Sequence, residues 1–198
     1  MTAVAVVGGG LAGSEAACAL AQRGVPVRLF EMRPGVPTPA HQTAALAELV
    51  CSNTFKSTDV TNAHGLLKAE MRLLGSVVLD AADGARVPGG TALAVDRQAF
   101  AAAVTDRVQR HPLIEVVREE VTDLPSPGIV ATGPLTSDRL ARTIAARLGQ
   151  ESLAFYDAIA PIVAYDSLDL AKLFRASRYG KGAGDDYLNA PLTREQYL

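Results

Sequence analysis

The stretch from Ala3 to Gly13, "AVAVVGGGLAG", decides the fold of this chain. Its first half is a run of small and β-branched apolar residues, the composition of a strand buried on both faces of a parallel sheet. Glycines follow at once, and from Leu11 to Arg23 apolar residues recur at helical spacing until Gly24. The next run, "VPVRLFE", predicts a second strand that ends at Glu31. Together these segments form a β-α-β unit of about 30 residues.

The glycines of this unit match the pattern G-x-G-x-x-G between a strand and a helix. Gly8 permits a tight turn, Gly10 lets a pyrophosphate approach the backbone, and Gly13 allows close packing of helix on strand. The amides of the helix N-terminus attract the pyrophosphate, and an acid after the second strand accepts hydrogen bonds from ribose hydroxyls. The pattern predicts a dinucleotide site, for either NAD or FAD, at Gly8, Gly9, Gly10, Leu11, Ala12, Gly13 and Glu31.

The composition indicates a globular protein with helices layered on a sheet, since 48% of its 198 residues are hydrophobic and 20% are charged. The net charge of −2 argues against a dedicated nucleic-acid binder, although a local basic patch remains compatible with it. Cys18 and Cys51 are too few for a disulfide framework, and no pattern for a metal includes His41 or His64. We therefore expect a reducing compartment, the cytoplasm. No apolar run approaches the ~20 residues that cross a bilayer.

Further elements follow from periodicity and capping residues. Residues 41–50 predict a short helix entered through Thr43, and Asn62 predicts the start of an amphipathic helix whose leucines pack in the core. Residues 76–95 predict a small antiparallel excursion with strand-like runs. The remaining expected elements are a helix after Asp96, strands at "LIEVV", "EEVTDL" and "GIVATG", and a helix from Ser137 to Gly149. Periodicity weakens beyond Gln150, where we place a domain boundary.

Several landmarks narrow the class of protein. "GIVATGP" resembles the second cofactor-contacting strand of glutathione-reductase-like FAD proteins, which favours FAD. "VVGGGLAGSEAA", "FEMRP", "ELVCSNTFKS", "GLLKAEM", "ALAVDR" and "ATGPLTS" resemble the folate- and FAD-dependent tRNA (uracil-5-)-methyltransferases of bacteria, the TrmFO family, across essentially the whole chain. The resemblance implies an α/β fold with a Rossmann-like, glutathione-reductase-type FAD-binding domain in residues 1–150. Residues 151–198 would begin a smaller α+β inserted domain.

The resemblance also implies an enzymatic activity. FAD would mediate transfer of a one-carbon unit from methylenetetrahydrofolate to a uracil of the tRNA T-loop, giving 5-methyluridine, with NADH or NADPH as the reductant. It adds expected cofactor contacts at Arg33, Asn53, Lys56, Ala131, Thr132 and Gly133. Cys51 matches the family's cysteine beside the flavin and would serve as a general base or a fallback nucleophile, activated by Lys56. Cys51 as a merely packed cysteine is the alternative, and for Cys18, in mid-helix, packing is the expected role.

A basic cluster lies near the end of the chain, in "KLFRASRYGKG". Basic groups interleaved with aromatic residues hold phosphates and stack bases, so this cluster is a candidate tRNA contact. The alternative is a solvated face with two core aromatics. The candidate residues are Lys172, Arg175, Arg178 and Lys181, beside Phe174 and Tyr179.

Other functions remain open from the sequence. They are another FAD- or NAD-dependent oxidoreductase, a relative that modifies the tRNA wobble uridine, and a non-catalytic FAD- or tRNA-binding module. The chain shows no second candidate for the cysteine that attacks uracil and no late segment that would close a flavin site. We therefore expect an N-terminal portion of a longer enzyme, with weak FAD retention and no methyl transfer on its own.

Overall fold

The computed structural model describes residues 2–149, 163–177 and 185–197. The strands are β1 (Val4–Val7), β2 (Val27–Phe30), β3 (Thr54–Ser57), β4 (Arg86–Val87), β5 (Ala92–Val95), β6 (Ile114–Val117), β7 (Gly128–Val130), β8 (Phe174–Ala176) and β9 (Tyr187–Asn189). The helices are α1 (Leu11–Ala21), α2 (Ala63–Leu73), α3 (Val77–Gly84), α4 (Arg97–Arg110), α5 (Asp138–Leu148) and α6 (Arg194–Tyr197). Short 3-10 turns occupy Gly133–Leu135, Tyr165–Ser167 and Leu170–Lys172.

The main sheet is parallel, with β6, β2, β1 and β7 side by side in that order. Helices α1, α3 and α4 pack together, and α1 and α4 cover the sheet with a core of small and β-branched side chains. The expected β-α-β unit and α/β architecture are therefore confirmed. Because the strands are parallel, the carboxyl ends of β1, β2 and β7 meet at one edge of the sheet, the edge where ligands bind in such folds.

The antiparallel excursion exists, but it begins with a helix where the sequence suggested a strand. Residues 77–84 form α3. The small antiparallel sheet consists of β3, β5 and β4, side by side in that order. The cause is a carboxylate from another helix: Glu15 accepts hydrogen bonds from the amides of Val77 and Val78 and from the hydroxyl of Ser76. Ser76 also caps the helix, so the β-branched run starts a helix that packs on α1.

The predicted helix at residues 41–50 is wrong, because this segment is an irregular loop. Arg33 donates to the carbonyl groups of Thr43 and Ala45, and the Glu48 carboxylate accepts from the amides of Gln42 and Thr43. These backbone groups are therefore bonded to side chains rather than to a helical turn. We name residues 41–50 the clamp loop.

Two further expectations fail for reasons of packing. The run "EEVTDL" forms no strand, since Glu119 and Glu120 turn toward a cleft and Glu120 pairs with Arg139. Helix α2 begins after its predicted cap Asn62. However, Leu66 and Leu67 are exposed, and the buried residues of the helix are Gly65 and Lys68. The helices after Asp96 and Ser137 and the strands β6 and β7 agree with the sequence.

The tail of the chain contributes a separate small sheet, in which β8 and β9 pair antiparallel. Residues 150–162 lie outside the described part, so the domain boundary near Gln150 stays a prediction. In the described ranges, no helix combines the length and the apolar character needed to cross a membrane.

Candidate functional site

A cleft of about 240 Å³ opens at the carboxyl edge of the main sheet. It brings together three predicted segments that are far apart in the chain: the glycine turn after β1, the acid and arginine after β2, and the turn after β7. The predicted residues that line it are Gly8, Gly9, Gly10, Leu11, Ala12, Glu31, Arg33, Ala131, Thr132 and Gly133.

The glycines have different roles in this turn. A Cβ atom on Gly13 would lie 1.8 Å from the carbonyl oxygen of Gly8, so any side chain would force α1 away from the turn. At Gly10 the opposite holds, since no described atom lies within 4 Å of where its Cβ would stand. The backbone at Gly10 is therefore bare toward the cleft at the start of α1, the geometry that an approaching pyrophosphate requires.

Glu31 lies at the centre of a buried hydrogen-bond cluster. Its Oε2 accepts from the amide of Gly9 at 3.0 Å, and its Oε1 accepts from the amide and the Nε of Arg33, each at 3.0 Å. Burial opposes ionisation of this carboxyl, but the hydrogen bonds and charge of Arg33 outweigh it and hold the pKa of Glu31 below its usual value. Glu31 is thus a charged acceptor that fixes the glycine turn, and its contact with a ribose stays a prediction.

Arg33 is almost fully buried, and all of its guanidinium nitrogens bond to protein groups. It joins Glu31 to Glu48 and to two carbonyl groups of the clamp loop. This arrangement makes Arg33 an organiser of the cleft wall. A direct cofactor contact by Arg33, as the resemblance implies, stays a prediction.

His41 also lines the cleft, although nothing in its local sequence selects it. Its Nδ1 lies 2.7 Å from the Thr38 hydroxyl, and that same oxygen accepts from the His41 amide. Burial, together with the positive charge of Arg33, lowers the pKa of His41, so the neutral ring is favoured. Only the folding of the clamp loop brings this imidazole into the cleft, so no spacing rule could have found it.

Asn53 and Lys56 do not line this cleft. They line a second, more polar cleft of about 470 Å³, together with the turn between β4 and β5. The side-chain amide of Asn53 donates to the carbonyl of Val95, so it also fastens β3 to β5. The expected flavin or folate contacts of Asn53 and Lys56 therefore concern a different pocket from that of the glycine turn.

The two chain neighbours of Cys51 line different clefts, since Val50 lines the first and Ser52 lines the second. The thiol of Cys51 is exposed, which argues against the merely packed alternative. Cys18, by contrast, is buried among the core residues, as the sequence predicted. Burial, with the nearby negative charge of Glu15, raises the pKa of Cys18 to about 11.

The candidate tRNA contacts are only partly described. Lys172 is exposed and pairs with Asp169 at 2.9 Å, and Arg175 is exposed on β8 beside the half-exposed Phe174. Arg178 and Lys181 lie outside the described residues. The tRNA role of this cluster stays a prediction.

The parallel sheet, the glycine turn at its carboxyl edge and the acid after β2 define a Rossmann-like dinucleotide-binding protein. The sequence profile of the family called "Glucose inhibited division protein A" (GIDA) matches residues 3–198, and the chain belongs to this family.

Its relatives include proteins named methylenetetrahydrofolate–tRNA-(uracil-5-)-methyltransferase TrmFO, which confirms the resemblance predicted from the sequence. The protein of this name from Geobacter sulfurreducens is 60% identical over 197 residues, covering 98% of this chain and 45% of the relative. One from Thermus thermophilus is 60% identical over 199 residues, covering 100% of this chain and 44% of the relative. The chain thus spans less than half the length of these relatives.

Among solved structures, that of Aquifex aeolicus GidA is similar, with a TM-score of 0.50 and 21% sequence identity. The similarity covers 62% of this chain and 20% of that one. At this level of identity the likeness supports the fold alone, which agrees with the α/β sheet described above.

Proposed function

We propose that this chain is the FAD-binding part of a methylenetetrahydrofolate-dependent tRNA (uracil-5-)-methyltransferase. The observation that carries the proposal is the convergence of the glycine turn, Glu31 and the turn at residues 131–133 in one cleft. Relatives with 60% identity carry the name of this activity. Residues 1–150 would form the FAD-binding domain and residues 151–198 would begin an inserted domain.

The residues of the cleft suit FAD. The bare backbone at Gly10 and the N-terminus of α1 would hold the pyrophosphate, and Glu31 would accept from the ribose of the adenosine half. The turn from Ala131 to Gly133 approaches the same cleft from β7 and would contact the remainder of the cofactor. When bound, the flavin would supply the redox chemistry of one-carbon transfer, with NADH or NADPH as the reductant.

Cys51 would act at the boundary between the cofactor and a second substrate. Cys51 is exposed, and its neighbours Val50 and Ser52 line the two clefts, so its thiol would move a proton to or from a bound substrate or attack one as a nucleophile. The substrate would be a uracil of the tRNA T-loop, and the charged cluster at Lys172 and Arg175 would contribute to tRNA contact.

The first test concerns the cofactor. Gly10→Val places a side chain where the pyrophosphate would lie, and the loss of two charge-assisted hydrogen bonds of about 1.5–3 kcal/mol each lowers FAD affinity by about 100-fold or more. The backbone at Gly10 has φ −75°, which valine adopts without strain, so the melting temperature should match that of the unaltered chain. Titration followed by flavin fluorescence measures the affinity. Equal FAD affinity in both proteins would rule out the proposed pyrophosphate position.

The second test concerns Cys51. Because Cys18 is buried and its pKa is about 11, iodoacetamide at pH 8 should alkylate Cys51 at least about 10-fold faster. Saturating FAD should slow the reaction of Cys51, since the adjacent residue Val50 lines the cleft. Mass spectrometry of peptides measures both rates, and Cys51→Ala is the control that removes the fast site. Protection of Cys18 alone would contradict the placement of Cys51.

The substrate is tested in cells. The gene, in its natural reading frame, is supplied to a bacterium whose tRNA lacks 5-methyluridine in the T-loop. Appearance of this nucleoside in tRNA digests supports the proposal. A change at the wobble uridine alone would instead favour the wobble-modifying relative.

A further inference from the structure

Lys56 occupies a β-bulge in an unusual backbone conformation. Thr54 pairs with Ala94 and Ser57 pairs with Ala92, so two residues of β3 stand opposite the single residue Leu93. Lys56 has φ +64°, the left-handed region that glycine enters without strain and that costs other residues about 1–2 kcal/mol. Bulges of this kind re-aim side chains beside functional sites. A lysine at this position therefore destabilises the fold by this amount, and a function of its ammonium group would explain why a lysine is present.

The neighbouring residue is fixed from two sides. The ring of Phe55 packs edge-on against Phe100 in the core, with ring centres 5.3 Å apart. The carbonyl oxygen of Phe55 accepts a hydrogen bond of 2.7 Å from Nζ of Lys68, a buried residue of α2. The peptide group between Phe55 and Lys56 is therefore held in one orientation, and the left-handed turn at Lys56 is part of the folded frame.

Lys56 lines the second cleft, whose wall is rich in hydrogen-bonding groups. The hydroxyl-bearing residues around it are Ser52, Thr54, Ser57, Thr91 and Tyr187, of which Tyr187 donates to the carbonyl of Gly89. A carboxylate already binds at its edge, where the amide of Gly90 donates to Asp186. Lys56 itself forms none of the salt bridges found among the described residues. The cleft thus offers the ammonium of Lys56 and hydroxyl groups to an incoming anion, while the Gly90 amide is already bonded to the Asp186 carboxylate.

We propose that the second cleft binds an oxyanion, a carboxylate or a phosphate group of a small-molecule ligand, through the ammonium of Lys56. Because Val50 lines the cleft of the glycine turn and Ser52 lines the second cleft, the anionic ligand would bind on the other side of Cys51 in the chain from the proposed cofactor cleft. That the ligand is the folate co-substrate, which carries carboxylates, rests on the proposed function. The existence of the oxyanion site does not.

Substitutions at Lys56 separate binding from strain. Lys56→Gly removes both the charge and the backbone strain, so affinity for the anion should fall by about 10-fold or more while the melting temperature rises by about 2–4 °C. Lys56→Ala removes the charge and keeps the strain, so affinity should fall with no rise in melting temperature. Lys56→Arg keeps the charge and should bind within about 3-fold of the unaltered chain. Arg110→Ala, which removes an exposed cation on α4, is the matched control.

The probes are inorganic phosphate and 5-formyltetrahydrofolate, titrated into the chain by calorimetry or by backbone amide chemical shifts. Binding of phosphate that depends on Lys56 supports the site. Binding of the folate that also depends on Lys56 identifies a carboxylate ligand. Phosphate binding without folate binding supports the oxyanion site but excludes the folate as its ligand. The proposal is overturned if neither probe binds, or if both bind the unaltered and Lys56→Gly chains with equal affinity. FAD affinity and its loss in Gly10→Val are measured separately, so failure of the two proposals is distinguishable.

Discussion

Gly13→Ala is expected to destabilise the fold by about 3 kcal/mol or more and to abolish FAD binding. The added methyl group would stand 1.8 Å from the carbonyl oxygen of Gly8 and 3.5 Å from the side chain of Ala131. The first of these is a backbone atom, which no rotamer change can move aside. Relief requires α1 to shift away from β1 and β7. Overpacking of a tight core costs about 1–3 kcal/mol and occasionally more, and a backbone obstacle favours the upper end of this range. The shift would also displace the amides proposed to bind the pyrophosphate.

Urea unfolding followed by circular dichroism measures the free energy, and flavin fluorescence measures the affinity. Gly84→Ala is the matched control, because Gly84 lies in a helix, is exposed and has no described atom within 4 Å of its Cβ position. This control should be neutral or stabilising by up to about 1 kcal/mol. Equal stability of the Gly13→Ala and Gly84→Ala proteins would show that the turn yields more easily than its geometry indicates.

Arg33→Met is expected to cost about 3–5 kcal/mol of stability. The substitution keeps most of the side-chain volume but leaves Glu31 and Glu48 close together without the cation that joins them. Removing one partner of a buried ion pair leaves an uncompensated buried charge, which is more costly than losing an exposed pair. The clamp loop would also lose its bonds at the carbonyl groups of Thr43 and Ala45.

The control for Arg33→Met is Arg28→Met, which removes an arginine from an ion pair with Glu115 on the neighbouring strand. That pair is about half exposed, so its loss should cost less than about 1 kcal/mol. A similar loss in both variants, measured by urea unfolding at pH 7, would contradict the central role of the buried cluster.

The effect of Arg33→Met should depend on pH. The pKa values of Glu31 and Glu48 lie below their usual 4.5 in the folded chain, so their contribution to stability is present above pH 4.5 and is lost as pH falls below it. Without Arg33, burial raises the pKa of Glu31 and the carboxylate destabilises the fold at neutral pH. The difference between the two proteins is therefore largest near pH 7 and narrows below pH 4.5, which unfolding curves at several pH values will measure.

The sequence predicted secondary structure well where residues close together in the chain determine the conformation of a segment. The buried strand, the glycine turn and α1 are adjacent in the chain, and Asn62, Asp96 and Ser137 cap the helices that follow them. The turn after β7 was predicted from the resemblance of "GIVATGP" to FAD proteins, and the parallel pairing of β1 with β7 brings it beside the glycine turn. These elements account for most of the dinucleotide cleft.

The prediction of secondary structure failed where a side chain from another segment hydrogen-bonds to the backbone of the predicted element. Glu15 accepts hydrogen bonds from the first amides of α3, so a β-branched run forms a helix there. Arg33 binds carbonyl groups of the clamp loop, which therefore forms no helix. The separation of Lys56 from the glycine turn could not be read from the sequence either, since it depends on the pairing of β3 with β5 rather than with the main sheet.

The sequence by itself determined the Rossmann-like unit, its glycine turn and the family to which the chain belongs, because these depend on residues that are close in the chain and on their order. Only the tertiary structure decided that Glu31 and Arg33 form a buried cluster, that His41 lines the cleft and that the neighbours of Cys51 line two different pockets. Each of these depends on contacts across many residues, and the energy of a buried charge is set by whichever groups the fold brings beside it.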